Sequence, residues 1–77
     1  MADKWVVFTQ VHCPWCDLAK KLLDEKGIPF APYYVDLAPS FKGLMRDMGL
    51  DTVPQVYHNG MRVGGYEDLV RYLRRET

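Results

Sequence analysis

The two cysteines of this 77-residue chain, Cys13 and Cys16, constrain its fold more than any other feature. Small secreted scaffolds carry two to four disulfides over longer loops, and a bridge that closes so short a loop adds little stability. This chain must therefore build a hydrophobic core of its own, and its 48% apolar composition suits one small domain spanning residues 1–77. The pair stands between a strand-like run at residues 4–9 and a helical pattern, which predicts a strand-to-helix junction.

The rest of the chain alternates strand-like and helical patterns. Further strands are predicted over residues 33–36, 55–58 and 61–64, and helices over residues 16–26, 40–48 (capped by Ser40) and 66–75. A strand–helix–strand unit implies a parallel pair, and Asn59-Gly60 makes the last two strands an antiparallel hairpin. The order β-α-β-α-β-β-α predicts an α/β protein with the minimal thioredoxin fold, a four-stranded mixed sheet with helices on both faces.

The charge balance excludes several classes of partner. Ten basic and ten acidic side chains give a formal net charge of zero, so nothing favours nucleic acid or an anionic membrane surface. The sequence shows neither a signal peptide nor an apolar stretch long enough to span a bilayer. We therefore expect a protein of a reducing cytoplasm with no membrane partner. A monomer is expected because the predicted elements leave no long apolar stripe unburied.

The position of the cysteine pair predicts redox chemistry. A thiol at a helix N-terminus gains from unpaired N–H groups and the positive end of the dipole, which favour the thiolate. Cys13 precedes the helix and should be exposed, whereas Cys16 lies one turn inside and should be shielded. We expect Cys13 to attack a disulfide and Cys16 to resolve the mixed disulfide that forms.

The residues around the pair allow more than one interpretation. Trp15 is interpreted as an exposed aromatic that contacts substrate in preference to a core anchor, and His12 as a solvated loop histidine in preference to a general base. A closed zinc site needs four ligands, and only His12 and His58 remain as further soft ligands, so no metal site is predicted. A cluster shared between two chains needs fewer ligands from each chain and stays open.

Three segments together resemble the glutaredoxins over almost the whole chain. These are the dithiol motif Cys13-Pro14-Trp15-Cys16, then Thr52-Val53-Pro54, then the segment from Gly64 to Leu69. The resemblance implies a thiol–disulfide oxidoreductase that holds no bound cofactor and uses glutathione as co-substrate. It implies disulfide-containing proteins as substrates, with ribonucleotide reductase as one client.

The resemblance also implies a glutathione-binding site. Pro54 matches the family's cis-proline, which would turn the backbone of Val53 toward the reactive sulfur. The glycine pair leads into the N-terminus of the last helix, which suits a γ-glutamyl carboxylate. The residues implied to contact glutathione are Trp15, Thr52, Val53, Pro54, Gly65, Tyr66 and Glu67.

Two positions depart from the family pattern, and because of them the sequence does not decide whether glutathione or thioredoxin reductase reduces the protein. Gln10 stands where a lysine is common, and Asp51 adds negative charge before Thr52, so recognition of a doubly carboxylated peptide is weakened. Lys42 and Arg46 either compensate for this or are solvated surface charges. One alternative is a glutaredoxin-like redoxin reduced by thioredoxin reductase. Another is an iron–sulfur module, in which the reactive cysteine and glutathione hold a cluster between two chains.

Overall fold

A computed structural model describes residues 3–75 of the chain. Its seven elements follow in the predicted order: β1 (Trp5–Thr9), α1 (Pro14–Glu25), β2 (Ala31–Tyr34), α2 (Pro39–Asp47), β3 (Gln55–His58), β4 (Met61–Gly64) and α3 (Tyr66–Arg75). The sheet has the strand order β2-β1-β3-β4. β1 pairs with β2 in parallel, and the β1–β3 and β3–β4 pairs are antiparallel. The predicted thioredoxin fold is confirmed.

Two hydrophobic clusters cover the two faces of the sheet. Alternate side chains of a strand point to opposite faces, so Trp5 and Val7 lie on one face and Phe8 on the other. The first face packs against α1 and α3, where Leu23 and Leu69 are fully buried. The second face packs against α2. The predicted placement of helices on both faces is therefore correct, and the sheet is held between two layers.

Several predicted boundaries are wrong. α1 begins at Pro14 and not at residue 16, because Cys13 takes the cap position and Pro14 the first helical position. β2 was expected over residues 33–36 but spans Ala31–Tyr34, because it extends only as far as β1, whose last residue, Thr9, pairs with Tyr34. The strand includes Pro32, which an edge strand tolerates. The cap of α2 is Ala38 and not Ser40: Pro39 takes the first helical position and holds the residue before it extended.

Some apolar side chains on or beside the helices are exposed. Leu18 of α1 and both Leu44 and Met48 near the end of α2 are more than 40% exposed. The buried face of α1 consists of Cys16, Ala19 and Leu23 at a helical spacing, so the side chain of Leu18 is rotated away from the sheet.

A cluster of aromatic rings connects the start of β1 with the β3–β4 hairpin and with α3. The His58 ring stacks on Trp5, with centroids 4.0 Å apart and planes 13° apart. Its Nδ1 lies 2.8 Å from the Tyr72 hydroxyl, and its Nε2 lies 3.2 Å from an Asp3 carboxylate oxygen. Asn59 Nδ2 also donates to the Asp3 carboxylate, at 3.3 Å. This cluster lies at the opposite end of β1 from the cysteine motif.

Candidate active site

Cys13 caps α1 with its own sulfur. The loop after β1 ends at Cys13, whose backbone is extended at φ −118° and ψ 102°, and Pro14 begins the helix. The Cys16 N–H donates a hydrogen bond to Cys13 Sγ at 3.3 Å. A sulfur in this cap position is next to the unpaired N–H groups of the first turn, which stabilise negative charge when the disulfide is reduced.

The two sulfurs differ in accessibility. Cys13 and Cys16 form a disulfide, with their Cα atoms 5.2 Å apart. Cys13 is half-buried, whereas Cys16 is fully buried beneath the first turn of α1. Cys13 is therefore the more accessible of the two, and the order in which the two sulfurs react stays a prediction.

The loop before the motif is held by one carboxylate. The Val11 N–H donates to Asp36 Oδ2 at 3.1 Å, which ties the loop to the turn after β2. His12 is exposed and takes a positive φ of 60°. Within residues 3–75 its ring makes no hydrogen bond or ion pair, in agreement with the interpretation of a solvated loop histidine.

A cleft of about 360 Å³ lies beside the cysteine motif, and we call it the active-site cleft. The structure brings together in its lining all seven residues that the resemblance implies for glutathione: Trp15, Thr52, Val53, Pro54, Gly65, Tyr66 and Glu67. Sequence reasoning missed three further lining residues, which are Gln55, Arg62 and Asp68. Of these only Arg62 is a cation, and it lies on β4, two residues before Gly64.

Trp15 and Tyr66 form an aromatic wall of the cleft. The Trp15 side chain is 54% exposed, and its ring centroid lies 5.8 Å from that of Tyr66, with the planes 44° apart. Trp15 is therefore an exposed aromatic and not a core anchor. Such a wall offers apolar contact area to a ligand that reaches the sulfurs.

The opposite wall is the segment before β3. The Val53–Pro54 peptide bond is cis, as predicted. The side chain of Gln55 is buried and donates from Nε2 to Thr52 Oγ1 at 3.0 Å. This hydrogen bond holds the segment against the start of β3.

The N-terminus of α3 closes the cleft. Gly65 N–H donates to Asp68 Oδ2 at 3.2 Å, so this carboxylate caps the helix and uses the Gly65 donor. Gly64 has φ 120°, and a Cβ there would overlap the Asp68 carboxylate. The N–H groups of Tyr66 and Glu67, in the first helical turn, have no partner inside the helix and are available to a ligand.

A second cavity of about 540 Å³ lies on the other side of Thr52 and Val53. Its lining brings together the two departures from the family pattern, Gln10 and Asp51, and the two cations considered as compensation, Lys42 and Arg46. Val35, Met45 and Leu50 complete the lining. Thr52 and Val53 therefore form a wall shared by the second cavity and the active-site cleft.

Residues 3–75 hold no group of three or more histidine, cysteine or acidic side chains arranged to bind a metal ion. None of the helices in the same range is long and apolar enough to span a membrane.

The family model and the relatives found by sequence comparison agree on one family. The family model described as Glutaredoxin matches residues 5–63. A glutaredoxin from Pseudomonas aeruginosa is 40% identical over 65 residues, which are 83% of this chain and 77% of that protein. A hybrid peroxiredoxin from Haemophilus influenzae, hyPrx5, is 36% identical over 86% of this chain, although the chain spans only 27% of that protein.

Solved structures agree with the sequence comparison. A buckwheat glutaredoxin–glutathione complex superposes with a TM-score of 0.81 at 27% identity, covering 96% of this chain and 71% of that chain. NrdH-redoxin from Escherichia coli, a glutaredoxin-like protein with a thioredoxin-like activity profile, superposes with a TM-score of 0.78. Its identity is 21%, with 88% of this chain and 92% of that chain covered, so this second likeness concerns the fold alone.

Proposed function

This chain belongs to the glutaredoxin family of thiol–disulfide oxidoreductases, and we propose that it is a dithiol, glutathione-dependent enzyme that reduces protein disulfides and glutathione mixed disulfides. One observation carries the proposal. The sulfur that caps α1 stands beside a cleft whose lining includes Trp15 of the motif and the other six residues implied to contact glutathione. Ribonucleotide reductase is proposed as one client on the family resemblance.

The reaction begins at the accessible sulfur. The Cys13 thiolate attacks one sulfur of the substrate disulfide, a new S–S bond forms, and the other substrate sulfur leaves as a thiolate. The Cys16 thiolate then attacks Cys13 Sγ and releases the second product thiol. This leaves the Cys13–Cys16 disulfide, which is the state of the structure.

Two glutathione molecules complete the cycle. The thiolate of the first attacks Cys13 Sγ, which frees Cys16 as a thiol and forms a Cys13–glutathione mixed disulfide. The second attacks the glutathione sulfur of that bond, so oxidised glutathione leaves and the dithiol is restored. Glutathione is therefore a substrate, and the cycle needs a reducing compartment, for which we propose the cytoplasm.

The two cavities suit the two ends of glutathione. The tripeptide carries a carboxylate at each end, and the cavities lie on either side of Thr52 and Val53. We assign the γ-glutamyl end to the active-site cleft, next to the free N–H groups at the start of α3. The glycine carboxylate then enters the second cavity, where Lys42 and Arg46 supply positive charge. One chain forms both cavities, which supports a monomer.

A second candidate function is a redoxin reduced by thioredoxin reductase. It is favoured by Gln10 and Asp51, which both line the second cavity and leave it with one carboxylate and without the family's lysine. The third interpretation is an iron–sulfur cluster shared between two chains. It is disfavoured by Trp15, a bulky exposed ring between the two cysteines, and it requires visible absorption that we do not expect from the purified protein.

The test is NADPH oxidation with a glutathione mixed disulfide. One arm contains glutathione and glutathione reductase, and the other contains thioredoxin reductase. Turnover in the glutathione arm supports the proposal, whereas turnover only in the other arm overturns it in favour of the redoxin. Turnover in neither arm refutes both.

Two matched variants test the roles of the sulfurs. Cys13→Ser should abolish turnover, because no sulfur remains to form the mixed disulfide. Cys16→Ser should retain reduction of glutathione mixed disulfides and lose reduction of protein disulfides. Residual turnover in Cys13→Ser, or equal loss of both activities in Cys16→Ser, would contradict the mechanism.

A further inference from the structure

We propose that Arg62 determines the selectivity of the active-site cleft by binding the γ-glutamyl carboxylate of glutathione. The inference rests on the proposed function and names a residue that the family resemblance does not supply. It starts from the charges of the cleft. Glu67 and Asp68 bring carboxylates to the lining, so an anionic peptide would be repelled there without a cation. Arg62 is the cation in that lining.

The position of Arg62 is set by the hairpin. On β4, Arg62 pairs with Tyr57, whereas Gly64 pairs with Val56, so the ladder is irregular between these two pairs. Irregularities of this kind bend a strand and re-aim its side chains. The Arg62 side chain reaches the lining of the active-site cleft, on the same side as the start of α3.

A buried amide then fixes the guanidinium. Arg62 Nε donates to Gln55 Oε1 at 3.1 Å, and Gln55 Nε2 in turn donates to Thr52 Oγ1 at 3.0 Å. Gln55 is only 5% exposed, so this link does not move freely in solvent. The guanidinium is thus connected to the cis-proline wall of the cleft, and its direction is set before a ligand arrives.

The rest of the guanidinium is available for binding. Within residues 3–75 the two terminal nitrogens of Arg62 have no hydrogen-bond or ion-pair partner. Asp68, a carboxylate in the same lining, already accepts from Gly65 N–H and pairs with Arg71. A guanidinium with free terminal nitrogens forms two parallel hydrogen bonds with a carboxylate, which gives both energy and geometric selection.

The mixture of charges distinguishes the two ends of glutathione. At neutral pH the γ-glutamyl end carries an ammonium group and a carboxylate on one carbon, whereas the glycine end carries a carboxylate alone. The active-site cleft offers both signs, with Arg62 for the carboxylate and Glu67 for the ammonium group. The second cavity offers Lys42 and Arg46 and suits the end that is only negative.

The test uses single turnovers without glutathione reductase. The reduced protein is mixed with the disulfide of glutathione and 2-sulfanylethanol, quenched in acid, and the products are quantified by chromatography. Three forms of the substrate are compared: unmodified glutathione, its monoethyl ester at glycine, and its diethyl ester. The variants are Arg62→Gln and the charge-matched control Lys21→Gln, whose side chain is exposed on α1.

We expect Arg62→Gln to slow the reaction about tenfold, equivalent to about 1.4 kcal/mol, with both unmodified glutathione and the monoester. With the diester, in which the γ-glutamyl carboxylate is blocked, the variant should equal the wild type. Lys21→Gln should equal the wild type throughout. An equal loss with the diester, no loss with the monoester, or no loss with any substrate would overturn the proposal.

The experiment distinguishes a failure of the Arg62 assignment from a failure of the proposed function. If the wild type reacts no faster with the glutathione mixed disulfide than with the neutral disulfide of 2-sulfanylethanol, glutathione recognition itself fails. If the wild type prefers glutathione and Arg62→Gln keeps that preference, only the assignment of Arg62 fails.

Discussion

Thr9, the last residue of β1, gives the sharpest prediction about stability. Its side chain is fully buried, and its hydroxyl oxygen has no hydrogen-bond partner among residues 3–75. Replacing Thr9 with valine exchanges the hydroxyl for a methyl group of similar shape and keeps the β-branched side chain that strands favour. We therefore expect Thr9→Val to stabilise the protein.

The magnitude follows from the cost of an unpaired hydroxyl. Mutational data place this cost at about 1–3 kcal/mol, and the methyl group avoids it without leaving a cavity. We expect the free energy of unfolding to rise by about 1–2 kcal/mol. For a domain of this size each kcal/mol corresponds to roughly 4–8 °C in Tm, so the shift should be easily measured.

The assay is urea unfolding of the oxidised protein, followed by circular dichroism. Thr9→Ser is the matched control, because it keeps the hydroxyl and removes the buried methyl group. The serine variant should lose about 1 kcal/mol. If Thr9→Val instead loses 1 kcal/mol or more, the hydroxyl is paired in solution and the reasoning is refuted.

Three further predictions concern a glycine at the end of β4, a glycine inside α2 and the Asp3 carboxylate before β1. Gly64→Ala should lower the free energy of unfolding by about 1–3 kcal/mol, because φ is 120° and the new Cβ overlaps the carboxylate that caps α3. Gly43→Ala, at an open position in the interior of α2, should instead raise the free energy of unfolding by about 0.5–1 kcal/mol. Equal shifts of Tm in the two variants would contradict this account. Hydrogen bonds from Asn59 and His58 lower the pKa of Asp3 in the folded protein. The stability that the ionised Asp3 contributes is therefore present above its ordinary pKa of 3.8, and it is lost as the pH falls through the lower folded pKa. Unfolding measured from pH 6 to pH 2 should therefore show a steeper loss of stability in the wild type than in Asp3→Asn, and parallel curves would exclude this role.

The boundaries of some elements could be predicted to the exact residue from the residues next to them in the sequence. Asn59-Gly60 determines a two-residue hairpin with positive φ at both positions, so β3 and β4 begin and end where the pattern indicates. The limits of β2 could not be obtained in this way, because they depend on β1, its distant partner in the sheet. Ser40 was a reasonable cap by residue type, but Pro39 before it decides where α2 begins.

The residues of the site that belong to contiguous sequence motifs could be predicted from the sequence. Residues of the cysteine motif, of the cis-proline segment and of the α3 N-terminus all meet in one cleft. Arg62 was missed because no local pattern marks it; its place depends on a side-chain hydrogen bond to Gln55 on the neighbouring strand. Lys42 and Arg46, which the sequence offers as compensating cations, line the second cavity instead.

The two tryptophans have an optical consequence. Trp15 lies between the two cysteines in the sequence, and a neighbouring disulfide quenches indole emission, so its fluorescence should report both the redox state and the occupancy of the cleft. Trp5 is buried at the other end of β1, with the His58 ring stacked on it. The native chain therefore carries its two tryptophans in different environments at opposite ends of one strand. The emission of Trp15 reports the redox state and the ligand, and the emission of Trp5 reports the packing of the ring cluster.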